Sequence, residues 1–357
     1  MAANGSVQTP APLAVFLSFL KKIDYNSIEI DRWFIQGVYM NRKMIIAAGL
    51  AALSVSLTGC NAAEVAEEEH DPRIFGATYM TRNNPYFDVL HEAIENVVEG
   101  NGDIVISRDP CQDQEKQNGQ IMEMLDEGIE VLFLNPVDWE TVEPALEACR
   151  EKNVIVINMD TVVKKRDYVA SIIETDNYEA GRQCAQDMMQ RKEEARIVVL
   201  DNPTQTSISD RVKGFIDTIA VSEHSEKYRV VARKCGQGEF EVGAEAMASI
   251  LERGVQPDVV LGGNDPSALG ALAALQQYHK EGVLIYGIDG SPDFKSMLDL
   301  GYVTGTSGQD PKQIGEVAVQ TAYDCLEGKE VEKYISIEPY MITQENLSDY
   351  EISSWGR

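Results

Sequence analysis

The sequence predicts an α/β protein built from two parallel sheets. After residue 72, short β-rich runs alternate with amphipathic stretches of helical length, which is the pattern of βαβ units. Several of the runs are continuously apolar, as expected for strands that helices cover on both faces. Ten such runs are more than one sheet of ordinary size holds, so we expect two separate sheets.

Two segments precede this pattern. Residues 40–59 combine a basic start, Met40–Lys43, an apolar run, Met44–Ser56, and small residues directly before Cys60. This order is typical of a bacterial lipoprotein signal peptide, in which Cys60 is lipidated and becomes the first residue. The apolar run is shorter than the roughly 20 residues that span a bilayer. Residues 1–39 lie ahead of the natural start at Met40, and we interpret them as an upstream mis-start or an added extension.

The elements follow in a regular order. The strand candidates are Ile74–Met80, Ile104–Ser107, Val131–Leu134, Val154–Ile157, Val169–Ile173, Ile197–Leu200, Tyr228–Ala232, Val259–Gly262, Leu284–Ile288 and Val303–Ser307. The clearest helix patterns are Tyr86–Val98, Gln114–Glu127, Val142–Lys152, Tyr178–Gln190, Ser267–Tyr278 and Gln313–Leu326. Five helix starts pair a capping side chain with a following proline, namely Asn84, Asn135, Asp265, Ser291 and Asp310. Asp265 and Asp310 are therefore explained as caps and are not predicted to bind a ligand.

Charge and cysteine content exclude several classes of protein. The formal net charge of −27 argues against binding to nucleic acid, whose phosphates it would repel. Residues 60–71 contain the acidic run Glu67–Glu69 and are predicted to form a solvated tether. None of the six cysteines stands in a C-x-x-C pair, so we expect no metal site. With Cys60 lipidated, we expect buried or half-buried thiols, and one disulfide stays an open alternative.

Hydrogen-bonding side chains recur where the predicted strands end. Ligands of open α/β sheets bind beyond the carboxyl ends of the strands, so these side chains should gather at one edge. Amides, carboxylates and a guanidinium together satisfy a sugar hydroxyl, which both donates and accepts, and aromatic rings pack on the apolar face of a sugar ring. The predicted site is that of a neutral polyol, and its candidates are Asn83, Asn84, Tyr86, Phe87, Asn135, Asn158, Asp160, Arg211, Phe240, Asn264, Asp289 and Gln309.

Each of these residues also has a simpler interpretation. Asn84 and Asn135 could serve only as helix caps, and Asp289 could form a turn. Arg211 could lie on the surface, and Phe240 could belong to the core. Their shared position at strand ends is what favours a common site.

At these positions the chain resembles the ribose-binding group of periplasmic sugar-binding proteins, the substrate receptors of ABC importers. The resemblance covers about residues 72–345 and implies that ten of the candidates above, all but Asn83 and Asn158, contact a sugar. Ribose binders have an arginine where this chain has Thr161, which is thus an eleventh site residue. This departure disfavours ribose and favours a larger pentose, a hexose or a related polyol. The matching stretches are 83–87, 134–138, 157–160, 209–215, 263–272, 287–292 and 309–315.

The resemblance also implies the architecture and the mechanism. Two similar doubly wound, Rossmann-like lobes are expected, joined by three crossover strands near residues 174–176, 309–310 and 337–340, with the ligand cleft between them. The N-terminal lobe is expected to hold residues 72–175 and 310–337, and the C-terminal lobe residues 176–309 and 338–357. A ligand that bridges both lobes would close the hinge. The loaded monomer would then dock on an ABC permease, which works with its ATPase, outside the cytoplasmic membrane.

Three other functions compete with that of a transport receptor. A sugar sensor that presents its ligand to a membrane histidine kinase or a chemoreceptor would use the same receptor, so the sequence leaves it open. A sugar-responsive repressor of the lac type would need a helix-turn-helix ahead of the first strand, where this chain has residues 40–71 instead. A dinucleotide-dependent enzyme would need G-x-G-x-x-G after the first strand, which is missing. We therefore expect no enzyme, no cofactor and attachment to the membrane through the lipid anchor only.

Overall fold

The structure, a computed structural model, describes residues 71–356 and contains two six-stranded sheets. Residues 1–70, and with them the predicted signal peptide, Cys60 and nearly all of the tether, lie outside the described residues. Each sheet is the centre of one lobe, which we call the N-terminal lobe or the C-terminal lobe.

The N-terminal lobe is built on an all-parallel sheet with the strand order β11-β5-β4-β3-β1-β2. Two helices cover one face of this sheet with apolar residues such as Leu90 and Ile314, and two cover the other face with residues such as Ile121 and Leu146. The strands are β1 (Ile74–Thr78), β2 (Ile104–Arg108), β3 (Val131–Leu134), β4 (Ile155–Met159), β5 (Ser171–Thr175) and β11 (Tyr334–Ile337). The helices are α1 (Pro85–Gly100), α2 (Gln114–Asp126), α3 (Glu143–Glu151) and α9 (Pro311–Leu326).

The C-terminal lobe repeats this plan with the order β12-β10-β9-β8-β6-β7. Only β12 departs from it, because it runs antiparallel to β10 and makes the sheet mixed rather than parallel throughout. The strands are β6 (Ala195–Asp201), β7 (Tyr228–Cys235), β8 (Val259–Gly262), β9 (Leu284–Asp289), β10 (Gly305–Gly308) and β12 (Tyr340–Thr343). The helices are α4 (Asn177–Arg191) and α5 (Thr206–Ala220) on one face, and α6 (Phe240–Glu252), α7 (Asp265–Gln277) and α8 (Pro292–Asp299) on the other.

The chain passes between the sheets three times within the described residues. It leaves the first sheet after β5, returns after β10 to form α9, and leaves again between β11 and β12. Two similar doubly wound lobes with three crossovers are the fold that the sequence predicted, and this prediction is confirmed. In both sheets the order reverses beside the first strand of the lobe, which is the point where ligands of open α/β sheets bind, beyond the carboxyl ends of the strands.

Two predicted helix starts are wrong. Asn135–Pro136 begins no helix, since α3 starts only at Glu143. Asp265 is not the cap of α7, because the side chain of Asn264 accepts the capping bond from the Ser267 N–H. The Asp265 carboxylate is instead fully buried and accepts bonds from the Ser291 N–H and the Thr306 hydroxyl.

The five cysteines of the described residues are all free thiols. Cys149 and Cys184 are buried and Cys325 is half-buried, as expected, but Cys111 and Cys235 are exposed, so the expectation is wrong for these two. Within residues 71–356, no helix is both long enough and apolar enough to cross a membrane.

Candidate functional site

The predicted site is centred on Arg211, which α5 carries into the interior of the protein, where 3% of the residue stays exposed. Its guanidinium lies between two carboxylates from different lobes. Nη2 is 3.8 Å from Asp160 Oδ1, and Nη1 is 3.7 Å from Asp289 Oδ1. These separations exceed hydrogen-bond length. The short bonds of Arg211 go elsewhere, from Nε to Asn177 Oδ1 at 2.7 Å and from Nη1 to the Gly263 carbonyl at 3.0 Å.

Asp160 directly follows β4 and is held in place by its own lobe. Its Oδ2 accepts hydrogen bonds from Asn135 Nδ2 at 3.0 Å and from the Thr161 hydroxyl at 3.3 Å. Its backbone has φ 58°, in the left-handed region that aspartate tolerates better than most residues. Burial raises the pKa of Asp160, and the Arg211 charge and these hydrogen bonds oppose the increase.

Asp289 is the last residue of β9 and is equally buried. Gln309 Nε2 donates to its Oδ1 at 2.7 Å, and the Asp265 N–H donates to its Oδ2 at 3.3 Å. Burial raises the pKa of Asp289, the Asp265 carboxylate raises it further, and Arg211 lowers it. A ligand that donates hydrogen bonds to this carboxylate would favour its ionised form.

Tyr86 and Phe87 begin α1 and form the aromatic side of the site. Both are buried, and their rings meet edge to face with centroids 5.2 Å apart. The Tyr86 hydroxyl and Gln309 Oε1 are buried without a hydrogen-bond partner among the described residues. A buried polar group without a partner costs about 1–3 kcal/mol, so both atoms are positions where a ligand would be stabilised.

The remaining predicted residues have structural partners. Asn84 caps α1 through the Tyr86 N–H, and Asn264 caps α7 and also donates to the Gly238 carbonyl at 2.9 Å. Asn135 is fully buried; it accepts from the Met80 N–H and donates to Asp160, so it positions Asp160 within its own lobe. Phe240 is the half-buried first residue of α6.

The two lobes touch at this site. The Thr161 hydroxyl is 3.1 Å from the Ser207 hydroxyl, and the Val162 N–H donates to Thr206 Oγ1 at 2.7 Å. Thr161 is fully buried in this contact. Sequence reasoning missed Ser207, although it lies just beyond the end of β6 and the strand-end rule applies to it. It also missed Trp355, which packs on Tyr86 from the end of the chain, where no strand pattern points to it.

A cavity of about 250 Å³ lies beside the crossovers and not between the strand ends. Its lining contains none of the eleven predicted residues; it consists of Asp310, Gln313, Ser336, Ile337, Glu338 and Tyr340. The strand-end site is the better candidate for a ligand, because buried charges and buried polar atoms without a partner among the described residues converge there.

Comparison with known proteins agrees with the two-lobed fold. Residues 75–330 match the family model described as periplasmic binding protein domain. The ribose import binding protein of Bacillus subtilis is 28% identical over 271 residues, which are 75% of this chain and 87% of the relative. The Caulobacter myo-inositol binding protein bound to myo-inositol superimposes with a TM-score of 0.72 at 24% identity, covering 78% of this chain and 97% of the other. The binding protein of the arabinose ABC transporter from Shewanella, bound to L-arabinofuranose, gives a TM-score of 0.71 at 24% identity, with 77% and 93% covered.

Proposed function

Since the chain belongs to the periplasmic binding protein domain family, we propose that it is an extracytoplasmic receptor for a monosaccharide or related polyol. In this proposal the two lobes close on one ligand, and the loaded receptor delivers it to an ABC permease and its ATPase. The relatives support the class of ligand, because the ribose import binding proteins of several bacteria are similar along most of this chain. The family is one of solute-binding proteins rather than enzymes.

One observation carries the proposal. Asp160 of the N-terminal lobe and Asp289 of the C-terminal lobe lie on either side of one buried arginine, and neither is within hydrogen-bond distance of it. A ligand between them would contact both lobes at once. Such a ligand makes more contacts when the lobes are together than when they are apart. It would therefore shift the equilibrium toward the closed state.

The free polar atoms of the site suit hydroxyl groups. Gln309 Oε1 needs a donor, and the Tyr86 hydroxyl has both a proton and an acceptor oxygen to offer. The two carboxylates accept from donors as well, whereas Arg211 is itself a donor, with N–H groups beyond the two that bond Asn177 and Gly263. A sugar or polyol hydroxyl donates and accepts through the same oxygen, so it can meet each of these requirements. The ionised oxygens of a phosphate at neutral pH can only accept hydrogen bonds. The two carboxylates of the site would repel them.

We propose further that Cys60 is lipidated and holds the receptor on the outer side of the cytoplasmic membrane, although this residue lies outside the described part of the chain. In Cys60→Ala the acyl attachment point is missing. Metabolic labelling with a radioactive fatty acid followed by membrane fractionation should show label in the wild type and none in the variant. Label that persists in Cys60→Ala would contradict the anchor.

The ligand proposal is tested by thermal denaturation of the purified protein with a panel of D-ribose, L-arabinose, other pentoses, hexoses, xylitol and myo-inositol. A ligand that binds only the folded state stabilises it by about 2.7 kcal/mol at a concentration a hundredfold above its dissociation constant. We expect at least one member to raise the melting temperature strongly, and we expect ribose not to rank first, because Thr161 supplies no guanidinium. A panel without any effect would contradict the proposal.

A further inference from the structure

The last described residues of the chain connect the two lobes. Tyr350 and Ile352 pack on the apolar core of the C-terminal lobe, and the Tyr350 ring stacks on Tyr340 with centroids 5.3 Å apart. Five residues after Tyr350, Trp355 packs on the core of the N-terminal lobe. We call residues 350–356 the strap. Because it starts on one lobe and ends on the other, it is an additional contact between them beside the three crossovers.

A buried lysine fixes the middle of the strap. Lys295 of α8 has no exposed surface, and its ammonium donates to the carbonyls of Glu351 at 2.7 Å and Ser354 at 2.6 Å. Burying an ammonium is costly unless its protons have acceptors, and both of these acceptors belong to the strap backbone. Burial lowers the pKa of Lys295, whereas Asp265 and Glu351 oppose the decrease. Holding the strap therefore explains why a lysine occupies this buried position.

The end of the strap reaches the candidate site. The Trp355 and Tyr86 rings are 5.9 Å apart with an interplanar angle of 70°, an edge-to-face contact. Tyr86 is thus enclosed by Trp355 and Phe87, and its hydroxyl is one of the two buried site atoms without a partner. Gly356 follows with φ 79°, and an added Cβ there would lie 3.2–3.3 Å from the Asp310 carboxylate. Only glycine suits this turn against α9.

We propose that the strap is part of the binding apparatus and that Trp355 is a positioning residue, which holds the Tyr86 ring so that its hydroxyl faces the ligand. The proposal rests on the sugar-receptor function above and adds a determinant of affinity from outside the strand-end set. Lys295 fixes the strap on the C-terminal lobe, and Trp355 acts on the N-terminal lobe through Tyr86. The binding site is then complete only when both lobes and the strap are in contact.

The test is a double-mutant cycle with the panel sugar that binds the wild type most tightly. Dissociation constants are measured by calorimetry for wild type, Trp355→Ala, Tyr86→Phe and the double variant. Each single change should weaken binding about tenfold, and the double variant should match Tyr86→Phe within about twofold, because contacting residues that act through one group are not additive. Trp355→Phe should restore most of the affinity. Effects that multiply, or wild-type affinity in Trp355→Ala, would overturn the proposal.

A second measurement needs no sugar and so separates this proposal from the proposed function. The difference between the emission spectra of the wild type and Trp355→Phe isolates the fluorescence of Trp355. In Lys295→Met the strap loses its anchor. The Trp355 fluorescence in this background is the spectrum of Lys295→Met minus that of the double variant Lys295→Met with Trp355→Phe. It should shift to the red, because the indole becomes exposed to water. The control is Lys329→Met, which removes an exposed ammonium that pairs with Asp324 and Glu327. An unshifted spectrum in Lys295→Met would contradict the strap even if no sugar binds.

Discussion

Buried charge at three positions gives the site its character at the scale of single residues. Asp160 and Asp289 both have raised pKa values because they are buried, and a single arginine partly compensates them. Arg211 itself is held by Asn177 and by the Gly263 carbonyl, which are both outside the carboxylate pair. The arrangement is costly for folding and useful for binding, since donors from a ligand would add hydrogen bonds to two buried carboxylates that lie 3.7–3.8 Å from the Arg211 guanidinium.

Asp289→Asn tests this account directly. The amide keeps the shape and can keep the bond with Gln309, but it removes the charge that hydroxyl groups would meet. We expect sugar affinity to fall by at least about tenfold, since hydrogen bonds to charged groups are worth about 1.5–3 kcal/mol. The apo protein should melt at the same temperature or higher, because a buried charge is lost. Calorimetry and thermal denaturation measure both quantities, and Asp126→Asn, on an exposed ion pair with Lys152, is the control.

The buried carboxyl group of Glu174 makes the stability of the protein depend on pH. Glu174 is 3% exposed, it accepts a hydrogen bond from Asn177 at 2.9 Å, and burial raises its pKa to about 8. The folded state therefore holds the proton more tightly than the unfolded state. Its contribution to stability is complete below pH 4.5, the ordinary pKa of glutamate, and is lost as the pH rises to about 8.

In Glu174→Gln the group cannot ionise, so this loss should disappear. The free energy of unfolding of the wild type should fall with rising pH more steeply than that of the variant, by up to about 1.4 kcal/mol per pH unit between pH 5 and 8. Urea denaturation at several pH values measures the two slopes. Parallel slopes would mean that Glu174 is ionised in the folded protein.

Helix contacts determine where these residues lie. Helices α4 and α5 approach so closely that a Cβ on Gly181 would come within 1.8 Å of the Arg211 carbonyl, and one on Gly214 within 2.0 Å of the Tyr178 carbonyl. These two glycines let the backbones touch, and the contact places the turn of α5 that carries Arg211. Packing of elements thereby determines the position of the central cation of the site.

Gly181→Ala should force α5 away from α4. Because the colliding atoms are backbone, we expect a loss of about 1–3 kcal/mol or more in the free energy of unfolding, together with weaker sugar binding as Arg211 moves. Gly119→Ala is the matched control, since this exposed helical glycine of α2 has open space at its Cβ and should gain about 0.5–1 kcal/mol. Urea denaturation and calorimetry on both variants measure the free energy of unfolding and the sugar affinity. A Gly181→Ala protein as stable as the wild type would contradict the packing.

The sequence predicts which strands exist better than it predicts their first and last residues. All ten strand candidates are present, with ends shifted by at most three residues, because apolar runs bounded by polar turns mark buried parallel strands strongly. Strands β11 and β12 were missed, since the exposed residues of β11 weaken its pattern and a turn of only two residues separates the strands. The Asn135–Pro136 pair looked like a helix start, but Asn135 is used to hold Asp160. Tertiary contacts of this kind leave no local signal.

At the scale of the whole molecule, two lobes of the same strand order face each other, and the site is made from both. The sequence predicted this architecture through its strand alternation and its resemblance to sugar receptors. It did not predict the strap, because Lys295 lies 56 residues before Glu351, and Tyr86 lies far from Trp355 in the chain, so these pairs meet only in the folded protein. The lobe boundaries and the sugar contacts stay predictions for experiments such as those above.

Two exposed thiols make closure of the lobes measurable. Cys111 lies beyond β2 on the N-terminal lobe, and Cys235 ends β7 on the C-terminal lobe. Their neighbourhoods meet across the cleft, where Gln112 Nε2 donates to Glu239 Oε1 at 3.0 Å. Cys149 and Cys184 are buried, so with Cys60→Ala and Cys325→Ser a fluorescent donor and acceptor can be attached to these two positions alone.

Energy transfer between labels on Cys111 and Cys235 is the most direct test of a receptor that closes on its ligand. Transfer efficiency should rise when the best sugar of the panel is added to saturation, and the midpoint should equal the dissociation constant from calorimetry. The same labels in Asp289→Asn should need at least about tenfold more sugar for the same rise. An efficiency that stays constant while the sugar binds would contradict closure, and with it the central claim that one ligand bridges the two lobes.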